Sequence, residues 1–123
     1  MSHPKYVCVD LDGTIARYDG WVNETHFGEP IEGVQEALEK LQSAGWRIII
    51  HTTRGNRDLI RKYLEKHAVP FDHINENPDQ PPGASGGKPI AHVYVDDRDV
   101  QFNGDWSATV NEILNFVPWN RRK

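Results

Sequence analysis

The sequence predicts an α/β fold: a three-layer α/β/α sandwich with a mainly parallel central sheet and no cap domain. Three observations lead there. Short β-branched runs alternate with stretches of helical periodicity, which calls for parallel strands joined by crossover helices. Most of the apolar runs stop abruptly at polar or acidic residues. The 123 residues leave room for one domain and little else, so residues 1–123 are read as one unit.

Tyr6 to Val9 reads as the first strand, stopped by Asp10-Leu11-Asp12-Gly13. Residues 17–30 are irregular, broken by Gly20, Gly28 and Pro30. From Ile31 a helical period begins, with Val34, Ala37, Leu38 and Leu41 on one face and Gly45 as the stop. Trp46 to Ile50 is a second strand, Ile-rich and buried on both faces. Asn56 or Asp58 caps a second helix carrying Leu59, Ile60, Tyr63 and Leu64, which ends before Pro70. Phe71 to Ile74 is a weaker third strand. Residues 75–89 hold too many Pro and Gly for a regular element, and a loop that long in a small domain serves a site or moves. Ala91 to Val95 is a fourth strand, ending in Asp96-Asp97. A last amphipathic helix is expected over Ser107 to Phe116 with Val110, Ile113 and Leu114 inward, before a solvated basic tail, Arg121-Arg122-Lys123.

Composition narrows the function classes. Hydrophobic residues make up 37% of the chain, with four Trp, four Tyr and four Phe, enough for a real core. The formal net charge of −4 gives no broad positive field for non-specific nucleic-acid binding. The lone cysteine, Cys8, excludes an intramolecular disulfide and a thiolate metal cluster. No apolar run approaches the ~20 residues that span a bilayer. Met1-Ser2-His3-Pro4-Lys5 leads into a strand without a signal-peptide pattern, so a soluble, cytoplasmic, reducing-compartment protein is expected, with no membrane partner.

The chemistry sits where three strands end: Asp10 and Asp12 after the first, Thr52 and Arg54 after the second, Asp96 and Asp97 after the fourth, with Lys88 just before that strand. A parallel sheet brings such ends to one edge. Two carboxylates ~4 Å apart at an effective dielectric of 20 repel by about 4 kcal/mol, so converging Asp10, Asp12 and Asp96 demands a proton or a cation. Oxygen-only donors select a hard ion, Mg²⁺ before Zn²⁺. A phosphoryl group suits the remaining parts: Lys88 neutralises its oxygens, while Thr52 and loop amides such as that of Leu11 hydrogen-bond them. Thr53 competes with Thr52. Arg54 is placed at a substrate phosphate, although an Arg opening a helix is more often solvated. Asp99 is read as a helix cap before a further metal-shell residue.

Asp10-Leu11-Asp12-Gly13-Thr14 after a hydrophobic strand resembles the first motif of the haloacid-dehalogenase-like (HAD) phosphohydrolases. Ile48-Ile49-Ile50-His51-Thr52 resembles their second motif, and Lys88 and Val93-Tyr94-Val95-Asp96-Asp97 the third and fourth, in family order across residues 6–99. Asp96-Asp97-Arg98 is also similar to small capless HAD phosphatases and to the phosphatase half of bacteriophage polynucleotide kinases. The resemblance implies a HAD-like Rossmannoid core and a Mg²⁺-dependent phosphatase that works through an aspartyl-phosphate. It makes Asp10 the nucleophile and Asp12 the general acid and base. It assigns the metal to the Asp10 carboxylate, the Asp12 backbone carbonyl and Asp96, with Asp97 a water-linked ligand or a support for Lys88. Neither gap between motifs holds a folded cap. The open site favours a large phosphorylated substrate such as a nucleic-acid end, or a lid from a neighbouring subunit of a homo-oligomer; a phosphorylated small molecule fits the same chemistry. A non-hydrolytic phosphoaspartate signalling or binding domain is the rival from another class.

Two tempting motifs carry less. Gly83-Ala84-Ser85-Gly86-Gly87-Lys88 fails as a nucleotide-binding P-loop, because Pro82 and Pro89 replace the Gly and the Ser or Thr it needs. Trp21 and Phe27 form a substrate rim, stack a base, or pack over a sheet edge, with packing slightly favoured.

Overall fold

A computed structural model describes residues 4–84 and 86–122. The N-terminal Met1-Ser2-His3, the Ser85 of the Gly-rich string and the Lys123 of the basic tail lie outside the described residues. The elements run β1 (Lys5–Asp10), α1 (Val34–Ser43), β2 (Trp46–His51), α2 (Arg57–Lys66), β3 (His73–Ile74), β4 (Val93–Val95) and α3 (Trp106–Leu114), followed by a 3₁₀ turn at Trp119–Arg121. The four strands form one sheet in the order β3-β2-β1-β4, and every pairing is parallel. This is the α/β architecture that the alternating pattern predicts.

The core explains the strand sequences. Val7, Val9, Ile48 and Ile50 point to one face, where they meet Leu38 of α1 and Ile60 and Leu64 of α2. Tyr6, Cys8 and Ile49 point to the other, against Ala91. Ile48, Ile49 and Ile50 are fully buried, so β2 is covered on both faces as its unbroken Ile run requires. The irregular stretch before β4 covers Tyr6 and Cys8 on the second face, while Val93, Tyr94 and Val95 of β4 stay exposed. Tyr6 Oη donates to the Asp79 carboxylate, Cys8 Sγ lies 4.0 Å from the Pro89 carbonyl, and the His92 amide donates to the Tyr6 carbonyl at 2.9 Å.

Several element boundaries differ from the sequence reading. α1 opens at Val34 rather than Ile31, because Gly33 takes a left-handed φ of 92° and the Ile31 amide is spent on the Ile15 carbonyl at 2.7 Å. Asn56, not Asp58, caps α2, its side chain accepting from the Leu59 amide at 3.2 Å. α3 is capped by Asp105, which accepts from the Ala108 amide at 3.2 Å, so Asp99 is not its cap. The larger correction concerns the face of α3. Val110, Ile113 and Leu114 do not point inward: they are exposed, as are Phe102 and Trp106 beside them. Val93, Tyr94 and Val95 of β4 are exposed as well, so α3 leaves that edge of the sheet uncovered. Among the described residues, no helix is long and apolar enough to cross a membrane.

Candidate functional site

Strand register builds the site. Val9 pairs with Val95 and Asp10 with His51, so Asp96 and Thr52 emerge on either side of Asp10 at the carboxyl edge of the sheet. Carboxylate oxygens of Asp10, Asp96 and Asp97 all lie within 4.8 Å of one another. Asp96 is open to solvent, while the Asp97 side chain is buried. The Arg98 amide donates to Asp96 Oδ1 at 2.8 Å and steadies that carboxylate.

Crowding three acids has the expected electrostatic result. The Asp10 carboxyl is pushed up to about 8, first by burial, then by a hydrogen bond with Asp97 and by the charges of Asp96 and Asp97; the Leu11 amide pulls the other way. Asp99 is pushed up too, by burial and then by Asp96, so it feels the same cluster. Such a cluster needs a proton or a cation to be stable, and its all-oxygen donors suit a hard divalent ion. These three aspartates could hold a metal ion.

Gly13 is what lets the loop after β1 close over this cluster. Its φ is +91°, and a Cβ there would sit on the Asp97 carboxylate, 2.7 Å from Cγ. The Leu11 carbonyl accepts from the amides of Thr14, Ile15 and Ala16, which tightens the turn. Trp119 Nε1 reaches back from the C-terminal turn to the Gly13 carbonyl at 2.8 Å.

Asp12 points elsewhere. Its carboxylate takes a bidentate pair from Arg54, Nε to Oδ2 at 2.8 Å and Nη2 to Oδ1 at 3.1 Å. Arg54 is only 8% exposed, so the expectation of a solvated side chain is wrong. Its guanidinium is engaged further. Nη1 donates to the Glu24 carbonyl at 3.2 Å and Nη2 to that of His26 at 2.7 Å, while the rings of Phe27 and Trp21 lie 4.1 and 5.0 Å from Cζ. Nothing local in the sequence announces this pairing, since Asp12 and Arg54 stand 42 residues apart. Arg54 therefore holds Asp12 in place.

The remaining candidates are less converged. Thr52 is positioned by Asn75, whose side chain accepts from the Thr52 amide at 2.9 Å; Thr52 Oγ1 in turn accepts from the Arg54 amide at 3.1 Å. The part played by Asn75 was missed, although an Asn just past a strand is a recognisable turn residue, and here it takes φ 54°. Lys88 is exposed, its ammonium 4.6 Å from the centre of the Tyr94 ring, and among the described residues no ion pair joins it to Asp97. Arg98 lies 3.8 Å from Asp97 with most of its own side chain in solvent, a weak contact.

No protein-family model matches the chain, and no curated protein matches it. Two solved structures share its fold. A conserved protein coded by a locus from Bacteroides thetaiotaomicron is 24% identical with a TM-score of 0.64, covering 91% of each chain. A chain of the Pnkp1/Rnl/Hen1 RNA repair complex is 23% identical with a TM-score of 0.57, covering 78% of this chain and 37% of that one. At these identities the likeness is one of fold.

Proposed function

We propose that this chain is a Mg²⁺-dependent phosphomonoesterase of the HAD type, with Asp10 as nucleophile. The observation that supports it best is the division of labour after β1: Asp10 joins Asp96 and Asp97 within 4.8 Å, while Asp12, two residues on, is held apart by Arg54. Two carboxylates in such different surroundings can take different roles.

In this reading, Mg²⁺ would offset the charge of the phosphoryl oxygens and favour the ionised form of Asp10. Asp96 and Asp10 would hold it, with the Asp12 backbone carbonyl and Asp97. An Asp10 oxygen attacks phosphorus and the ester P–O bond breaks as Asp12, which must enter this step protonated, gives its proton to the leaving oxygen. Asp12 then accepts a proton from water, whose oxygen attacks the aspartyl-phosphate; the P–O bond to Asp10 breaks and inorganic phosphate leaves. Each Asp12 oxygen that accepts from Arg54 keeps a second lone pair, so the pairing orients the carboxylate without closing it to a proton. Thr52 and the Leu11 amide, released from the Asp10 carboxyl, bind phosphoryl oxygens, and Lys88 swings from the Tyr94 ring to do the same.

Asp10→Asn should abolish Mg²⁺-dependent hydrolysis of an aryl phosphate while leaving the far-UV circular dichroism unchanged; wild-type turnover in that variant removes the covalent mechanism. A polynucleotide end-phosphatase is the narrower second reading, favoured by the fold shared with a chain of an RNA repair complex. Faster turnover of 3′-phosphorylated oligonucleotides than of sugar phosphates would support it, and equal rates would remove it.

A further inference from the structure

A cleft of about 400 Å³ opens beside Arg54, the partner of Asp12, and is lined by Trp21, Glu24, Phe27 and the Thr53–Asn56 turn. We infer that this cleft binds the base of a nucleoside phosphate, as the leaving-group side of the site. Its volume lies in the lower part of the range found for small-molecule pockets.

The cleft ends an aromatic ladder. Tyr63 and Phe27 stack at 4.7 Å and 17°, Arg54 lies on Phe27, and Trp21 lies on Arg54 as the last rung. Trp21 is 60% exposed, a large planar surface with nothing stacked on its outer face among the described residues. The order of the ladder matters: the cation is locked beneath the indole, so the position of Trp21 is tied through Arg54 to Asp12.

Charge selects what can enter. The Arg54 charge is already matched by Asp12, no lysine lines the cleft, and Glu24 adds a carboxylate that is in no ion pair among the described residues. A phosphate is repelled there, whereas a neutral planar ring is not. The polar edge suits a base: Glu24 accepts from an exocyclic amine, and Asn56, whose Oδ1 is spent on the Leu59 amide, keeps its NH₂ to donate to a ring nitrogen or carbonyl. Gly55 adds no side chain, so a ring can approach the backbone. An extended polyanion fits poorly beside Glu24, so the ligand is one nucleoside unit, free or at a strand end.

The inference rests on the phosphatase reading for what occupies Asp10, yet the cleft can be probed without turnover. With Mg²⁺ present, kcat/KM is measured for nucleoside 3′- and 5′-phosphates and a 3′-phosphorylated oligonucleotide, each divided by the value for glycerol phosphate. Trp21→Ala should lower that ratio roughly 5- to 150-fold, the range that stacking one base contributes, and Trp21→Phe should restore most of it. The ester with the largest wild-type ratio identifies the source of the base. An unchanged ratio in Trp21→Ala overturns the inference, as does an equal fall when phenyl phosphate replaces the nucleotide. If the wild type turns over none of these esters, the phosphatase reading fails, and quenching of tryptophan fluorescence by millimolar adenosine decides the cleft. Quenching that disappears in Trp21→Phe sustains it, and no quenching overturns it.

Discussion

Replacing Arg54 by Ala tests the most consequential contact in the structure. Arg54 is 8% exposed and makes two bonds to Asp12, at 2.8 and 3.1 Å, and two to backbone carbonyls, at 3.2 and 2.7 Å. Removing it leaves the Asp12 carboxylate, 17% exposed, facing a void with no countercharge. Breaking a buried pair from one side costs about 3–5 kcal/mol, and the access of water to Asp12 argues for the lower end. Loss of the packing between Phe27 and Trp21 adds to it, so Arg54→Ala should lose about 3–4 kcal/mol. Asp12→Asn should cost less, about 1–2 kcal/mol, because Arg54 keeps two carbonyls and two rings. The double variant should fall short of the sum by about 2 kcal/mol, the coupling of the pair. Urea unfolding followed by circular dichroism, with linear extrapolation, reads all four corners of the cycle. An Arg54→Ala protein within about 1 kcal/mol of wild type, or an additive double variant, would refute the argument. Arg54→Lys keeps the charge without the planar fork, so it should recover stability only in part and turnover hardly at all.

Three further outcomes are expected. The Asp10 carboxyl is raised from 3.8 to about 8, so between those pH values the folded state without metal binds more protons than the unfolded one, and stability falls as pH rises through the window. Urea midpoints in chelator should show that decline, Asp10→Asn should flatten it, and Mg²⁺ should reverse it by taking the place of the proton. Gly13→Ala must place a Cβ 2.7 Å from Asp97 Cγ at φ +91°, so it should lose upwards of about 1–2 kcal/mol and any thermal protection by Mg²⁺, read by melting with and without the ion. Cys8 is buried and its thiol is pushed up to about 11, chiefly by that burial, so it should ignore a disulfide reagent at mildly alkaline pH and react once the chain is unfolded in denaturant.

The sheet and the acidic cluster were legible because both depend on local pattern plus one topological rule. An unbroken Ile run at 48–50 must be buried on both faces, and parallel pairing then carries strand ends to a common edge, which is how residues as distant as Asp10 and Asp96 meet. The face of α3 was misread for a related reason. Helical periodicity shows that Val110, Ile113 and Leu114 share a side, but not whether that side meets the sheet, and here it stays exposed.

Local sequence therefore determined the strands, the turn after Asp10 and the meeting of Asp10 with Asp96, since side-chain period and glycine geometry act over a few residues. The third acid of the cluster is Asp97, not the expected Asp12. Only the tertiary structure decided that Asp12 belongs to Arg54, that Trp21 caps an aromatic ladder beside it, and that Gly13 makes room for Asp97. Those contacts join segments dozens of residues apart. Their energies depend on burial and distance, which no residue carries in its own neighbourhood of the chain.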